Sequence, residues 1–228
     1  MNILVLGQGK TGSLVAEIAR ERGHHVETLG ARENEQAKGL TSERLRQCDV
    51  VVDFTKPGAA QENIYVCLRE HKNIVVGTTG WYGELERIRK EVEKSGTGLI
   101  YAANFSIGVN IFFEIARTAA AALGFDYTGK IIESHHAQKK DAPSGTAIMI
   151  QHAVKEASDV ELPISSVREG DIVGIHEIVV ESENDSIRLV HDSKSRRGFA
   201  EGAVRAAEWL GGKKGFYNFR DVWRVLGE

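Results

Sequence analysis

The chain has 228 residues, 42% hydrophobic and 27% charged, with a formal net charge of -3. This composition belongs to a folded chain able to bury one large core or two smaller ones, and it excludes a disordered or fibrous protein. It lacks the basic surplus of a nucleic-acid binder, while leaving room for a local cationic pocket that takes an acidic substrate.

The opening MNILVLG lacks the charged leader and cleavage site of a signal peptide, and no apolar run is expected to approach the ~20 residues of a membrane span. The two cysteines, Cys48 and Cys67, form neither a metal motif nor a disulfide framework. They read as reduced thiols, so the expected location is the cytoplasm, with neither a membrane nor a nucleic acid as partner.

NILVLG is a short apolar run suited to a strand covered on both faces. SLVAEIARERG then places Leu14, Val15, Ile18 and Ala19 on one helical face, with Gly23 positioned to end the helix. HHVETLG, DVVVDFT and NIVVGTT are further strands rich in β-branched residues. Ile64, Val66, Cys67 and Leu68 belong to a helix starting near Pro57, and Leu85, Ile88 and Val92 to another, after which GLIYAAN returns to strand character. The alternation predicts an α/β fold, a Rossmann-type doubly wound parallel sheet with helices on both faces.

The pattern changes after residue 106. GVNIFFEIARTAAAALG reads as a long alanine-rich helix, KIIES as a strand and SGTAIMIQHAVKEA as a second helix. SSVREGDIVGIHEIVVES and SIRLVHDS read as strands separated by the turn-forming ENDS. These describe a second α+β domain with an open mixed or antiparallel sheet carrying two helices. GFAEGAVRAAEWLGG is a last helix that returns to the first domain. The expected boundaries are therefore 1–106 completed by 197–228 for the first domain, and 107–196 for the second.

GQGKTG supplies Gly7, Gln8, Gly9, Lys10, Thr11 and Gly12, a G-x-G-x-x-G that follows a strand and opens a helix. Glycines let the turn close and the backbone approach a pyrophosphate, whose charge the helix N-terminus receives. A phosphate-loop NTPase would need glycine five positions before Gly9, where Leu4 stands. Near the end of the second strand, Arg32 reads either as a partner for a cofactor 2′-phosphate or as a solvated loop residue. The first reading predicts that NADPH is used at least as well as NADH.

The stretch ESHHAQKKDAPSGTA places two histidines and two lysines just ahead of a helix start. Adjacent histidines in an extended chain point in opposite directions, so His135 and His136 are poorly placed to share a metal, and no metal is expected. No G-x-S-x-G elbow surrounds Ser144. Pro143-Ser144-Gly145-Thr146 at a helix N-terminus, with cationic and protonatable side chains upstream, instead suits a carboxylate-binding pocket with a proton donor at hand. Trp81, Trp209, Phe112, Phe113 and His176 read as packing residues, Asp53 and Asp141 as loop-positioning groups, and Lys56 as a residue near the nucleotide. Arg196 reads as holding the domains or reaching the substrate.

HHAQKKDAPSGTA resembles the H-H-x-x-K-x-D-A-P-S-G-T-A signature of the 4-hydroxy-tetrahydrodipicolinate (dihydrodipicolinate) reductase family of bacterial lysine biosynthesis. GQGKTG, VVDFTKP, VVGTTG, AANFSIGVN, EGDIVGIHE and SRRGFAEGA agree in order over nearly the full length. The resemblance implies His135 as the catalytic proton donor and acceptor and Lys139 as a second donor. It implies that His136, Ser144, Gly145 and Thr146 hold substrate carboxylates. Gly7 through Gly12 would embrace the pyrophosphate, and Gly77, Thr78, Thr79, Ala102, Ala103, Asn104 and Phe105 would line the nicotinamide side. Where the family pattern has an acid followed by arginine after the second strand, this chain has Ala31 and Arg32, which leaves the choice between NADPH and NADH open.

The implied reaction is reduction of a small cyclic dicarboxylate: a hydroxy-imine loses water, the conjugated ring accepts hydride, and the resulting enamine takes a proton. A homotetramer assembled through the second sheet is implied as well, with the domains opening and closing around the ligands. Two rivals stand beside this reading, a reductase of another imine or semialdehyde and a non-catalytic nucleotide sensor.

Overall fold

The computed structural model describes residues 1–226. The chain divides into two compact units, Met1–Ile107 together with the chain from Arg197, and Gly108–Arg196.

In the first unit, β1 (Asn2–Leu6), β2 (His25–Leu29), β3 (Val50–Asp53), β4 (Asn73–Val76), β5 (Gly98–Tyr101) and β10 (Gly215–Asn218) pair in parallel in the order β10-β5-β4-β3-β1-β2. The central strands are apolar on both faces because both are covered. Ile3, Val5, Val50, Val52, Val75 and Ile100 pack with α1 (Lys10–Glu21) and α7 (Arg197–Leu210). Their neighbours Leu4, Leu6, Val51, Ile74, Val76 and Leu99 pack on the other side with α3 (Pro57–Arg69) and α4 (Leu85–Ser95). The doubly wound sheet expected from the sequence is present. Three pieces were not anticipated: α2 (Ser42–Gln47), the sixth strand β10, and α8 (Phe219–Val222).

In the second unit, β6 (Thr128–His135), β7 (Ile164–Arg168), β8 (Ile175–Glu181) and β9 (Ser186–Asp192) form a sheet in the order β7-β6-β8-β9. β6 and β7 are parallel, and the other pairs antiparallel, so the sheet is mixed. Side chains alternate between its faces. Ile131 and Ile178 point to the face packed by Val109, Phe112 and Phe113 of α5 (Ile107–Ala120) and by Ile150 and Val154 of α6 (Gly145–Ser158). Residues of β6 at Glu133 and His135 share that inner face, beyond the apolar packing.

One expectation needs correcting. Ile107–Gly124 gives 18 helical residues long and apolar enough, by length and composition, to cross a membrane. Its apolarity has a local cause, since Val109, Phe112, Phe113, Ala116 and Ala120 fill the core of the second unit.

Candidate active site

β1 stops at Leu6 and α1 starts at Lys10, so Gly7, Gln8 and Gly9 are the whole turn. Gly7 has φ of 99°, a conformation that side-chain-bearing residues avoid. A Cβ on Gly7 would lie 2.3 Å from the carbonyl oxygen of Phe54, and one on Gly12 would lie 2.0 Å from that of Gly7. Both glycines are therefore required for strand, turn and helix to close on each other. Gly9 differs: it caps α1 without a side-chain bond, and a Cβ there would meet nothing within 4 Å. The open space lies where backbone N–H groups of Lys10, Thr11 and Gly12 can receive an anion.

Two cavities adjoin this turn. One, of about 390 Å³, is lined by Gly7, Gln8, Gly9, Ala31, Gln36 and Lys56 among others. The second, of about 310 Å³, is lined by Gly9, Lys10, Thr11, Gly12, Gly77, Thr78 and Thr79 among others. A wider hollow of about 600 Å³ sits at the opposite ends of β1 and β2, beside Asn2 and His25, away from the glycine turn. Arg32 is exposed in the turn after β2. Ala102 follows β5, its N–H bonded to the carbonyl of Val76 at the end of β4. Asn104 is buried and accepts from the N–H of Ser106, while Phe105 is 2% exposed and packs on Phe219.

The loops after β3 and β4 are tied together by Asp53, which is fully buried. Its Oδ1 accepts from the N–H and hydroxyl of Thr55, at 2.9 and 2.7 Å, and from the hydroxyl of Thr78 at 2.8 Å. Its Oδ2 accepts from Asn63 Nδ2 at 2.7 Å, and Asn63 Oδ1 accepts in turn from Asn34 Nδ2 at 2.8 Å. Burial pushes the Asp53 carboxyl up, and these neutral donors offset it only in part. Asp53 thus holds Thr55 and Thr78 at the rim of the second cavity. A cradle of close-packed glycines, a helix start without a side-chain cap and two adjoining cavities fit a dinucleotide.

In the second unit, His135 ends β6 and is 8% exposed. Nδ1 lies 2.5 Å from Glu133 Oε2. Arg168, the parallel partner of His135 on β7, donates to both Glu133 oxygens, at 2.6 and 3.0 Å, and to the carbonyl of Asp141 at 2.6 Å. Burial raises the Glu133 pKa, but hydrogen bonds from Arg168, Ser166 and His135 overcome it and bring the group down to about 2. Burial lowers His135, opposed by the hydrogen bond and charge of Glu133, and the net shift is downward.

Lys139 donates to both oxygens of Asp141 at 2.8 Å, a pair that holds the Asp141 carboxyl below its ordinary range. His136 is half-buried, and its N–H is bonded to the carbonyl of Ile172 at 2.7 Å. Ser144 caps α6 by accepting from the N–H of Ala147 at 3.2 Å. Its own N–H reaches Glu133 Oε1 at 3.3 Å, and its hydroxyl lies 3.2 Å from His176 Nε2. Gly145, the first residue of α6, has open space on its Cβ side, and Thr146 follows it. His176 is buried beside His135, ring centroids 5.3 Å apart, and burial followed by the charges of His135 and His191 lowers it to about 4. It stays neutral at physiological pH.

Within the fifteen-residue stretch Glu133 bonds both His135 and Ser144, and two further partners, Arg168 and His176, come from outside it. Glu133 stands two residues before His135 on the same strand face, a period-of-two signal present in ESH. Arg168 and His176 reach the cluster only by strand pairing, which no local pattern announces. The assembly offers an imidazole bonded to a carboxylate, an ammonium group and the N-terminal turn of α6, groups that can hold an anion and move a proton.

Comparison with known proteins agrees along the whole chain. Residues 1–105 match the family profile described as dihydrodipicolinate reductase, N-terminus, and residues 108–223 the one described as its C-terminus. A 4-hydroxy-tetrahydrodipicolinate reductase of Christiangramia forsetii is 38% identical over 97% of each chain. That of Neisseria meningitidis serogroup A is also 38% identical, over 78% of this chain and 73% of its own. Among solved structures, the dipicolinate-bound dihydrodipicolinate reductase of Paenisporosarcina sp. TG-14 superimposes with a TM-score of 0.79 at 25% identity, covering 97% of this chain and 99% of that one.

Proposed function

The chain belongs to the dihydrodipicolinate reductase family, and from that membership we propose how its residues divide the work of reduction. Its activity is the NAD(P)H-dependent reduction of 4-hydroxy-tetrahydrodipicolinate to tetrahydrodipicolinate, in the diaminopimelate route to lysine. The bound dinucleotide supplies the hydride. Gly7, Gln8, Gly9, Lys10, Thr11 and Gly12 hold its pyrophosphate, and Gly77, Thr78, Thr79 and the backbone of Ala102, Ala103, Asn104 and Phe105 hold its nicotinamide side. Arg32, with Lys56 in the adjoining cavity, favours a 2′-phosphate, so NADPH serves at least as well as NADH.

Ser144, Gly145 and Thr146 receive one substrate carboxylate at the N-terminus of α6, and His136 steadies the ring. The dipicolinate bound to the Paenisporosarcina protein is a ring dicarboxylate of the kind such a pocket would take. His135 protonates the enamine carbon left after reduction, and Lys139, freed from Asp141, is the second proton donor. The observation that carries this division is the imidazole of His135, held by a buried carboxylate that also accepts from Ser144 at the start of α6, with the Lys139 ammonium near enough for its charge to act on the ring.

The outer face of the second sheet supports the homotetramer. Val167 and Val190 are 40% and 57% exposed there, beside half-buried Ile132 and Ile175, an apolar strip on the face opposite the one packed by α5 and α6. The free, buried Cys48 and Cys67 suit a reducing cytoplasm.

The test couples the enzyme to its upstream synthase with pyruvate and aspartate semialdehyde and follows oxidation of NADPH and of NADH. Substrate-dependent oxidation is expected with both. Its absence would refute the reaction and leave only nucleotide binding. In the same assay His135→Gln should lower kcat about 100-fold or more, while Thr146→Ala should chiefly raise KM. Unchanged kinetics in both would overturn the site.

A further inference from the structure

A proton-donating imidazole must hold one nitrogen still and present the other. Here the held atom is Nδ1, 2.5 Å from Glu133 Oε2. Glu133 is completely buried and gripped on both oxygens, by Arg168 at 2.6 and 3.0 Å and by the N–H of Ser144 at 3.3 Å. An ionised carboxylate only accepts, so the hydrogen between the two groups belongs to Nδ1. The exchangeable proton of the ring is thereby confined to Nε2. That atom faces Gly174, where a Cβ would come within 3.0 Å of Nε2 and 3.4 Å of Cδ2. A side chain at position 174 would press on this edge of the ring, and glycine avoids that contact.

We propose that Glu133 is a positioning residue for the reduction: anchored by Arg168, it locks the His135 ring with Nδ1 as donor and makes Nε2, beside Gly174, the atom that delivers the proton. The inference rests on the reading of His135 as the proton donor. In the step, the Nε2–H bond breaks as the enamine electron pair forms the new C–H bond. Nε2 keeps its electron pair, leaving a neutral imidazole that still donates from Nδ1 to Glu133. The imidazolium needed beforehand is opposed by the charges of Lys139 and Arg168, and by burial. His176, packed across the ring, is neutral. Glu133 is the one anion bonded to the ring among the described residues, so its charge keeps the protonated form within reach.

Glu133→Gln is the discriminating variant. Arg168 will take the amide oxygen, because its N–H groups can bond only to an acceptor. The amide NH2 then faces Nδ1, and the ring must turn to the Nε2–H tautomer, which as a neutral ring is a poor acid. The expected result is a fall in kcat of about 100-fold with KM changed less than about threefold. The alkaline limb of the kcat profile should move down by about one pH unit or more, because the imidazolium has lost its counter-charge. Wild-type pH dependence and turnover in a folded Glu133→Gln protein would overturn the proposal.

A second measurement uses the unaltered enzyme and so does not depend on the variant folding. Imidazole 15N spectra, with the His135 resonances assigned by their loss in His135→Gln, should show a neutral ring protonated at Nδ1. A ring protonated at Nε2 would overturn the proposal as well. The two levels of failure separate cleanly. If His135→Gln keeps full activity, the proton-donor reading fails. If His135→Gln is inactive while Glu133→Gln matches wild type, only the positioning role fails.

Discussion

Asp53 at the end of β3 and Glu133 within β6 are both fully buried carboxylates, yet they leave the ordinary carboxylate range in opposite directions. Asp53 meets only neutral donors, from Thr55, Thr78 and Asn63, and burial raises it. Glu133 meets the guanidinium of Arg168, which helps bring it to about 2. Both side chains are closed to solvent, but Glu133 has a cationic partner and Asp53 has none. The contrast extends to the two halves of the chemistry. The nucleotide cradle is set by atoms left out, the missing Cβ groups of Gly7 and Gly12, and by neutral bonds that fix loops. The cluster around His135 is set by charges held in place.

Removing the charge that separates the two carboxylates should have the largest effect. Arg168→Ala leaves Glu133 buried and uncompensated, in the situation of Asp53 without its full set of donors. The expected loss is about 3–5 kcal/mol at pH 7, measured by urea unfolding. The loss should shrink at pH 4, because Glu133 would then escape by taking up a proton. A loss that is small at pH 7, or equal at both pH values, would mean that the Arg168 contact does not govern the Glu133 charge.

Acid should divide the two units by the same logic. His176 is lowered from 6.5 to about 4, so the unfolded chain binds its proton before the folded chain does. Its contribution is complete above pH 6.5 and disappears as pH falls to about 4, about 3 kcal/mol in all. Glu133, lowered from 4.5 to about 2, contributes stability of the same sign, complete above pH 4.5 and lost as pH falls to about 2. Asp53 has the opposite sign: its raised pKa costs stability at neutral pH, and acid relieves that cost. Hydrogen exchange at pH 7 and pH 4 should therefore show β6 and β8 losing protection while β1 and β3 keep theirs. Equal loss in both sheets would break the comparison.

The legibility of these features in the sequence follows their range. The buried strands of the first unit announce themselves because they are apolar on both faces, and α1, α3 and α4 because three or more turns repeat the pattern. α2 escapes notice with six residues and one buried apolar side chain, Leu45. β10 escapes because it is a half-buried edge strand of four residues, with nothing to alternate against. In the site, His135, Lys139, Ser144 and Thr146 lie within twelve positions of one another, and their spacing carries the chemistry. Arg168 joins through the parallel pairing of β6 with β7, across the α6 crossover, and His176 through the antiparallel register that sets it opposite Glu133. Local spacing carries no trace of which strands will become neighbours, so the charged clamp on His135 becomes visible only in the fold.

The smallest effect is expected where a carboxylate can be neutralised without consequence. In Asp53→Asn the amide oxygen can keep the three bonds that Oδ1 receives from Thr55 and Thr78. The new NH2 would oppose Asn63 Nδ2, donor against donor, unless Asn63 turns over. It can do so, because Asn34 Nδ2 would then lose Asn63 Oδ1 but could turn over in its turn. Asn34 Oδ1 is buried without a partner, and the flip brings it to Asn63 Nδ2 as an acceptor. The whole amide chain thus reverses with every bond remade. Together with the relief of a buried charge, this holds the expected stability change to within about 1 kcal/mol. Glu133→Gln has no such escape, since the guanidinium of Arg168 cannot turn into an acceptor. Unfolding curves in which Asp53→Asn costs as much as Glu133→Gln would show that the charge of Asp53, and not merely its shape, is used in the nucleotide half.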